Sequence, residues 1–183
     1  MSAAPSVPEA PTVAAVVAAH LRDVPDFPEP GVSFKDFSPL LASGAAMATV
    51  VRDIAGRYDG RVDAVAGIEA RGFILGAAVA YELGVGFVPV RKVGKLPGPT
   101  LSAQYVLEYG SAVLEVRTDA FTPGARVLVL DDVLATGGTA EAASELIERA
   151  GAVVTAFEAV IELTALGGRM RLTGRCVHTI LAL

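Results

Sequence analysis

The stretch Val127-Leu-Val-Leu-Asp-Asp-Val-Leu-Ala-Thr-Gly-Gly-Thr139 decides the fold class of this chain. Its apolar start is typical of a buried strand, which we predict over residues 126–133. Asp131 and Asp132 follow at the carboxyl end of that strand, and a Gly-Gly pair then leads into a predicted helix over residues 138–150. A buried strand that turns directly into a helix is the repeating unit of α/β proteins.

The turn after this strand has the chemistry of an anion site. Its two glycines allow backbone N–H groups to close around an anion, and its two threonines can add hydroxyl donors. The N-terminus of the following helix contributes about half a positive charge. The predicted 5′-phosphate-binding residues are Ala135, Thr136, Gly137, Gly138 and Thr139.

Asp131 and Asp132 would repel a neighbouring phosphate, so we expect them to have a different partner. Carboxylates at the end of a parallel strand can accept hydrogen bonds from sugar hydroxyls or face a bound magnesium ion. A phosphate site and a diol site in one loop predict a ribose 5-phosphate ligand. The alternative is a plain strand–turn–helix unit whose aspartates cap the helix. A Walker A loop is excluded because the chain contains no G-x-x-x-x-G-K-[ST] string.

A second strand–helix–strand unit precedes this one in the chain. Residues 62–68 read as a short apolar strand, residues 72–83 as a helix and residues 85–90 as another apolar strand. We therefore expect an α/β fold with an open, mostly parallel, twisted sheet flanked by helices. The remaining predicted core elements are a helix over residues 45–58 and strands over residues 153–163 and 176–181.

The N-terminal part has a different character. We predict a flexible tail over residues 1–11, a small hood over residues 12–43 and the core of the single domain over residues 44–183. Thr12 is a candidate N-cap for a helix over residues 13–21. The connector Pro25–Gly31 contains three prolines, so we expect irregular structure there, held in place by Phe27 and Phe34.

One stretch in the middle of the chain departs from the α/β pattern. Residues 92–102 combine two lysines with several glycines and prolines, which predicts a mobile loop. Residues 104–109 and 113–117 each alternate between apolar and polar side chains, and Gly110 lies between them. This pattern predicts a flexible β-hairpin that projects from the sheet.

Composition excludes several classes of protein. The 183 residues are 52% hydrophobic and 19% charged, which argues against disorder. The net charge of -5 provides no general attraction for nucleic acid or for an anionic membrane. No apolar run approaches the roughly 20 residues of a membrane-spanning helix. The one cysteine, Cys176, fits a reducing compartment, so we expect a cytoplasmic protein.

The strand–turn–helix stretch resembles the signature of the type I phosphoribosyltransferases, which use phosphoribosyl pyrophosphate. Further strings resemble the adenine-specific branch of that family, and together they cover nearly everything after Val24. These strings are Phe34-Lys-Asp-Phe-Ser-Pro-Leu-Leu41, Gly67-Ile-Glu-Ala-Arg-Gly-Phe-Ile-Leu-Gly76, Val90-Arg-Lys-Val-Gly-Lys-Leu-Pro-Gly-Pro-Thr100, Leu107-Glu-Tyr-Gly110 and Val160-Ile-Glu-Leu163.

The resemblance implies a pyrophosphate site. In the family, the loop that here spans Gly67 to Gly72 grips pyrophosphate through Glu69, Ala70 and Arg71, often with a cis peptide, which would be Glu69–Ala70. Arg71 would donate to a phosphate group; the alternative is a surface ion pair with Glu69. Arg91, Lys92 and Lys95 form the dense basic cluster of an acidic chain. We expect them to face the leaving pyrophosphate, with Lys95 in a lid; the alternative is a solvated run of charges.

The resemblance also implies the remaining groups and the reaction, a purine salvage step in which adenine and phosphoribosyl pyrophosphate give AMP and pyrophosphate. Glu108 would be the acid/base that handles the adenine ring proton; the alternative is an exposed strand residue. Phe27, Ser33 and Lys35 of the hood would hold adenine, although Ser33 departs from the apolar residue common there. Mg²⁺ would be carried by the diphosphate near Asp131 and Asp132 without direct ligation, in a homodimer.

Two rival functions stay open at this point. An enzyme of the same chemistry could act on hypoxanthine or xanthine, since only the hood residues distinguish the bases. A purine-sensing regulator could retain the phosphate loop without catalysis. Such a regulator would need a basic DNA-binding module, and the sequence contains no basic helix of that kind.

Overall fold

The computed structural model of the chain describes residues 10–106 and 111–183. The chain divides between residues 49 and 50 into two compact units, and the division falls inside one helix, α3 (Gly44–Tyr58). The first unit contains α1 (Val13–Ala19), β1 (Arg22–Pro25), β2 (Ser33–Asp36) and α2 (Ser38–Ala42).

The N-terminal unit contains a two-stranded antiparallel sheet that the sequence patterns do not predict. Strand β1 pairs with β2, with Arg22 opposite Asp36 and Pro25 opposite Ser33. The prolines do not interrupt this pairing because Pro25 ends β1 and the others lie in the turn. The turn itself is irregular, as expected, and the rings of Phe27 and Phe34 meet edge to face with centroids 5.1 Å apart.

The second unit is built on a sheet of seven strands in the order β5-β6-β4-β3-β7-β8-β9. Neighbours among β4, β3, β7, β8 and β9 run parallel, whereas β6 pairs antiparallel with both β4 and β5. The strands are β3 (Ala64–Ile68), β4 (Gly86–Lys92), β5 (Thr100–Val106), β6 (Ser111–Arg117), β7 (Arg126–Leu134), β8 (Val153–Glu162) and β9 (Val177–Ala182). The expected open, mostly parallel sheet is confirmed.

Helices α4 (Arg71–Leu83) and α5 (Gly138–Arg149) pack on this sheet and cover its centre. All five residues of β3 are buried, as a central parallel strand requires. Two short 3₁₀ helices, Thr164–Leu166 and Gly168–Leu172, follow β8. The sequence patterns missed both because a single turn has too few residues to show periodicity.

Candidate active site

The candidate site lies at the carboxyl ends of the central strands. Strand β3 pairs in parallel with β4 on one side and β7 on the other, with Ile68 opposite Val90 and Gly67 opposite Leu130. The chain leaves β3 through α4 to reach β4, whereas the next parallel strand, β7, lies on the opposite side of β3. Such a reversal opens a crevice at the carboxyl ends of the two strands, where α/β proteins bind ligands.

The loop between β3 and α4 forms one wall of this crevice. The Glu69–Ala70 peptide bond is cis, as the resemblance implies, and α4 begins at Arg71. A Cβ atom on Gly72 would lie 2.7 Å from the carbonyl oxygen of Leu130, so only glycine lets the first turn of α4 approach β7 this closely. The close approach places the Arg71 side chain beside the end of β7.

The two aspartates of β7 have separate partners. Asp132 is buried, and its Oδ2 accepts a hydrogen bond from Nε of Arg71. The alternative considered for Arg71 was a surface ion pair with Glu69; the structure pairs Arg71 with Asp132. Oδ1 of Asp131 accepts the backbone N–H of Asp132 at 2.9 Å. Asp131 is the carboxylate that borders both cavities of the site.

Asp131 is held in a setting that disfavours its charged form. Burial is the main cause that raises the pKa of Asp131 well above its ordinary value, and the adjacent carboxylate of Asp132 adds to it. The hydrogen bond from the Asp132 backbone and the guanidinium of Arg71 act in the opposite direction. A ligand that brings hydrogen-bond donors or a cation to Asp131 would favour its ionised form.

The predicted 5′-phosphate loop, residues 135–139, borders a small cavity of about 160 Å³ at the start of α5. Gly137 occupies the N-cap position with φ +83°, a left-handed conformation that favours glycine. The N–H groups of the first helical turn point toward the N-terminus of α5, where the cavity lies. Because Gly137 has no side chain, it does not cap these groups. Thr136 and Thr139 line the same cavity and supply hydroxyl groups. This arrangement suits a phosphate group.

The back of this loop rests on a segment that sequence reasoning missed. A Cβ atom on Gly168 would lie 2.1 Å from the carbonyl oxygen of Ala135, and one on Gly137 would lie 2.4 Å from the carbonyl oxygen of Gly168. Arg169 anchors the segment through Glu162, with its Nη2 2.5 Å from Oε2. The contact joins residues some thirty positions apart, so no local pattern predicts it.

A larger cavity of about 390 Å³ adjoins the first and shares Asp131, Val133 and Thr139 with it. The structure brings most of the predicted pyrophosphate and ribose residues around this one cavity. Its lining consists of Glu69, Ala70, Arg71, Lys92, Tyr105, Ala112, Asp131, Asp132, Val133 and Thr139.

Arg91 and Lys95 do not line that cavity. Arg91 donates from Nε to Oε2 of Glu69 at 3.3 Å, and its guanidinium carbon lies 5.8 Å from the ring centroid of Phe73. The backbone N–H of Lys92 lowers the pKa of Glu69, with a smaller contribution from Arg91. Lys95 is exposed in the loop after β4. That loop is predicted to be mobile, and in the structure its backbone makes hydrogen bonds with the side chains of Arg91 and Glu115.

The residues predicted to hold adenine lie in the N-terminal unit. Phe27 is half exposed beside Phe34, Ser33 is exposed on β2, and Nζ of Lys35 lies 2.5 Å from Oδ1 of Asp23. Pro25, which faces Ser33, has no N–H to offer the opposite strand. Glu108, the predicted acid/base, lies outside the described residues.

Among residues 10–106 and 111–183, no group of three or more His, Cys, Asp or Glu side chains is arranged to hold a metal ion. Across the same residues, every helix is too short or too polar to cross a bilayer.

Comparison with known proteins agrees with this geometry. The phosphoribosyl transferase domain matches residues 37–165. An adenine phosphoribosyltransferase from Salinispora tropica is 61% identical over 170 residues, which cover 92% of this chain and 90% of that protein. A crystal structure of adenine phosphoribosyltransferase from Thermoanaerobacter pseudethanolicus superposes with a TM-score of 0.88 at 45% identity, covering 91% of this chain and 98% of the other.

A third relative is the Saccharomyces cerevisiae enzyme, crystallised with an imino-altritol bisphosphate and adenine. It has a TM-score of 0.88 at 38% identity and covers 92% of this chain and 98% of that one. The chain belongs to the phosphoribosyltransferase family. It catalyses the reaction of the adenine phosphoribosyltransferases, in which adenine and phosphoribosyl pyrophosphate give AMP and pyrophosphate in purine salvage. The rival functions, transfer to another base and non-catalytic sensing, are not supported by these relatives.

Proposed function

We propose that phosphoribosyl transfer takes place in the two adjoining cavities at the carboxyl ends of β3 and β7. The observation that carries this proposal is their shared lining by Asp131, Val133 and Thr139. A phosphate in the smaller cavity and a diphosphate in the larger one would place the ribose between them, beside Asp131. In the reaction, the bond from ribose C1 to pyrophosphate breaks, a bond from C1 to adenine N9 forms, and adenine loses a ring proton.

The smaller cavity is proposed to hold the 5′-phosphate. Backbone N–H groups at Gly137 and Gly138, hydroxyls of Thr136 and Thr139 and the dipole of α5 all favour an anion there. Asp131 is proposed to accept hydrogen bonds from the ribose hydroxyls. These donors would offset the burial that raises its pKa in the free protein.

The larger cavity is proposed to hold the pyrophosphate. As the C1–oxygen bond breaks, negative charge grows on this leaving group and an oxocarbenium-like charge grows on the sugar. Cations near the leaving group therefore stabilise the transition state more than the ground state. Arg71 and Lys92 border the cavity, and Arg91 and Lys95 lie on the strand and loop next to Lys92. We assign these four side chains to the pyrophosphate.

The donor set of the site fits a magnesium ion held mainly by the substrate. Mg²⁺ takes oxygen ligands and usually combines one or two carboxylates with phosphates and water. Of the carboxylates that line the larger cavity, Asp132 is paired with Arg71 and Glu69 with Arg91, which leaves Asp131 to face the ion. When bound, Mg²⁺ would neutralise part of the diphosphate charge.

The base end of the reaction is proposed on resemblance. Phe27 would stack on adenine, backbone groups near Ser33 and Lys35 would read its edge, and Glu108 would handle the ring proton.

Exposed apolar side chains on α4, Ile74 and Tyr81, support a homodimer. The single cysteine supports a cytoplasmic location.

Steady-state kinetics of Asp131→Asn test the proposed site. The substitution keeps the shape of the side chain and removes its charge, so we expect kcat for AMP formation to fall roughly 10²–10³-fold. Asp63→Asn is the matched control, because Asp63 pairs with Arg126 at the opposite end of β3 and β7. The control should retain wild-type kcat.

A near-normal kcat in folded Asp131→Asn would show that the ribose and diphosphate lie elsewhere. The same assay with a panel of nucleobases tests the base end. If the enzyme used hypoxanthine as efficiently as adenine, the proposed role of the hood residues would be contradicted.

A further inference from the structure

Two side chains from neighbouring strands hold the backbone of the loop that carries Lys95. Arg91 on β4 and Glu115 on β6 are direct partners in the antiparallel register. Because partners in such a pair project to the same face of the sheet, both side chains reach the loop over residues 93–99 from one side.

Glu115 accepts backbone hydrogen bonds from this loop although it is itself buried. It is only 3% exposed, and its Oε1 accepts the N–H groups of Lys95 and Leu96, each at 2.8 Å. Its Oε2 accepts the hydroxyl of Thr100 at 3.3 Å. A buried carboxylate is costly unless such donors surround it, so the loop and the carboxylate stabilise each other.

The charge of Glu115 is retained in this setting. Burial alone would raise the pKa of Glu115, but the N–H groups of Leu96, Lys95 and Gly94 more than compensate and lower it below its ordinary value. The hydrogen bonds to the loop are therefore charge-assisted, which makes them stronger than bonds between neutral groups.

Arg91 completes the hold on Lys95. Its Nη1 donates to the carbonyl oxygen of Lys95 at 3.2 Å while its Nε donates to Glu69. Both backbone polar groups of Lys95 are thus engaged, the N–H by Glu115 and the carbonyl by Arg91. The side chain of Lys95 is left exposed and outside these bonds.

We propose that Glu115 is a positioning residue that sets the Lys95 loop in place for the pyrophosphate end of the substrate. This inference rests on the proposed role of Lys95. Without Glu115, the N–H groups of Lys95 and Leu96 lose their acceptor and the loop gains conformational freedom, which pyrophosphate binding must then remove. Adenine binds at the other end of the substrate, so its binding should not depend on Glu115.

Kinetics of three Glu115 variants test this role. Glu115→Ala should raise KM for phosphoribosyl pyrophosphate, and KM for pyrophosphate in the reverse reaction, by roughly tenfold or more. KM for adenine should stay within about twofold. Glu115→Gln should come within roughly threefold of wild type, because its amide oxygen can still accept both N–H groups. If Glu115→Ala does not fold, Glu115→Asp decides: its shorter side chain cannot reach both N–H groups, so the same selective rise is expected.

Glu158→Ala is the matched control for a purely structural loss. Glu158 is a fully buried glutamate on β8 that binds Arg57 and Tyr58. Its replacement should lower the melting temperature without a selective change in KM for phosphoribosyl pyrophosphate. A Glu115 variant that behaves like Glu158→Ala would overturn the proposal.

Lys95→Ala separates this inference from the proposed function. If Glu115 acts through Lys95, the double variant with both Glu115→Ala and Lys95→Ala should have a KM for phosphoribosyl pyrophosphate only slightly higher than that of Lys95→Ala alone. If Lys95→Ala leaves that KM unchanged, the proposed role of Lys95 fails. If Lys95→Ala raises it and the folded Glu115 variants do not, only the positioning role fails.

Discussion

Replacement of Gly168 by alanine should displace the loop that binds the 5′-phosphate. The new Cβ atom would lie 2.1 Å from the carbonyl oxygen of Ala135 and 2.9 Å from the backbone nitrogen of Gly137. Ordinary van der Waals contact begins near 3.4 Å. The two backbone segments must therefore separate by roughly 1 Å or more, since close-packed protein has no room to absorb the methyl group.

The segment around Gly168 cannot move away freely. Arg169 shares its Nε–H between both carboxylate oxygens of Glu162, donates to Glu162 again from Nη2, and donates from Nη1 to the carbonyl oxygen of Val177. Overpacking of this kind typically costs about 1–3 kcal/mol in the free energy of unfolding. A displacement of about 1 Å in a binding loop can cost on the order of 10²-fold in function.

Isothermal titration with AMP and urea unfolding measure the two effects. We expect AMP affinity to fall roughly 10²-fold and the free energy of unfolding to fall by about 1–3 kcal/mol in Gly168→Ala. Gly56→Ala is the control, because nothing lies within 4 Å of a Cβ atom at this position in α3. That control should bind AMP normally and be more stable by about 0.5–1 kcal/mol. Wild-type AMP affinity in Gly168→Ala would refute the idea that this segment supports the phosphate loop.

Two further predictions concern charged groups. The pKa of Asp131 is raised in the folded protein, so its contribution to stability falls as pH rises above about 4, the ordinary pKa of aspartate. The melting temperature of Asp131→Asn should match wild type near pH 4 and increasingly exceed it as the pH rises above 4; a constant difference would contradict this. Tyr58→Phe removes the 2.7 Å hydrogen bond to buried Glu158 and should cost about 1–3 kcal/mol in urea unfolding, with unchanged KM values. An unchanged unfolding midpoint would show that Arg57 alone satisfies Glu158.

Local sequence patterns determined most of the core. The apolar run of β7, its two aspartates and the Gly-Gly turn predict strand, turn and helix from neighbouring residues alone, and the structure confirms them within a few positions. Strands β3 and β4 and helix α4 follow from hydrophobic periodicity in the same way. The pairing of β1 with β2 could not be predicted from the sequence, because the proline-rich segment between the two strands carries no periodic pattern.

Only the tertiary structure decided which charged groups meet. The sequence placed Arg71, Arg91, Glu69 and the aspartates near one edge of a sheet, but the pairs Arg71–Asp132 and Arg91–Glu69 depend on strand order and register. The support of the phosphate loop by Gly168 and the hold of Glu115 on Lys95 depend on the same long-range geometry. A periodic pattern reports which face of an element is buried, whereas the partner across that face is set by how distant segments pack.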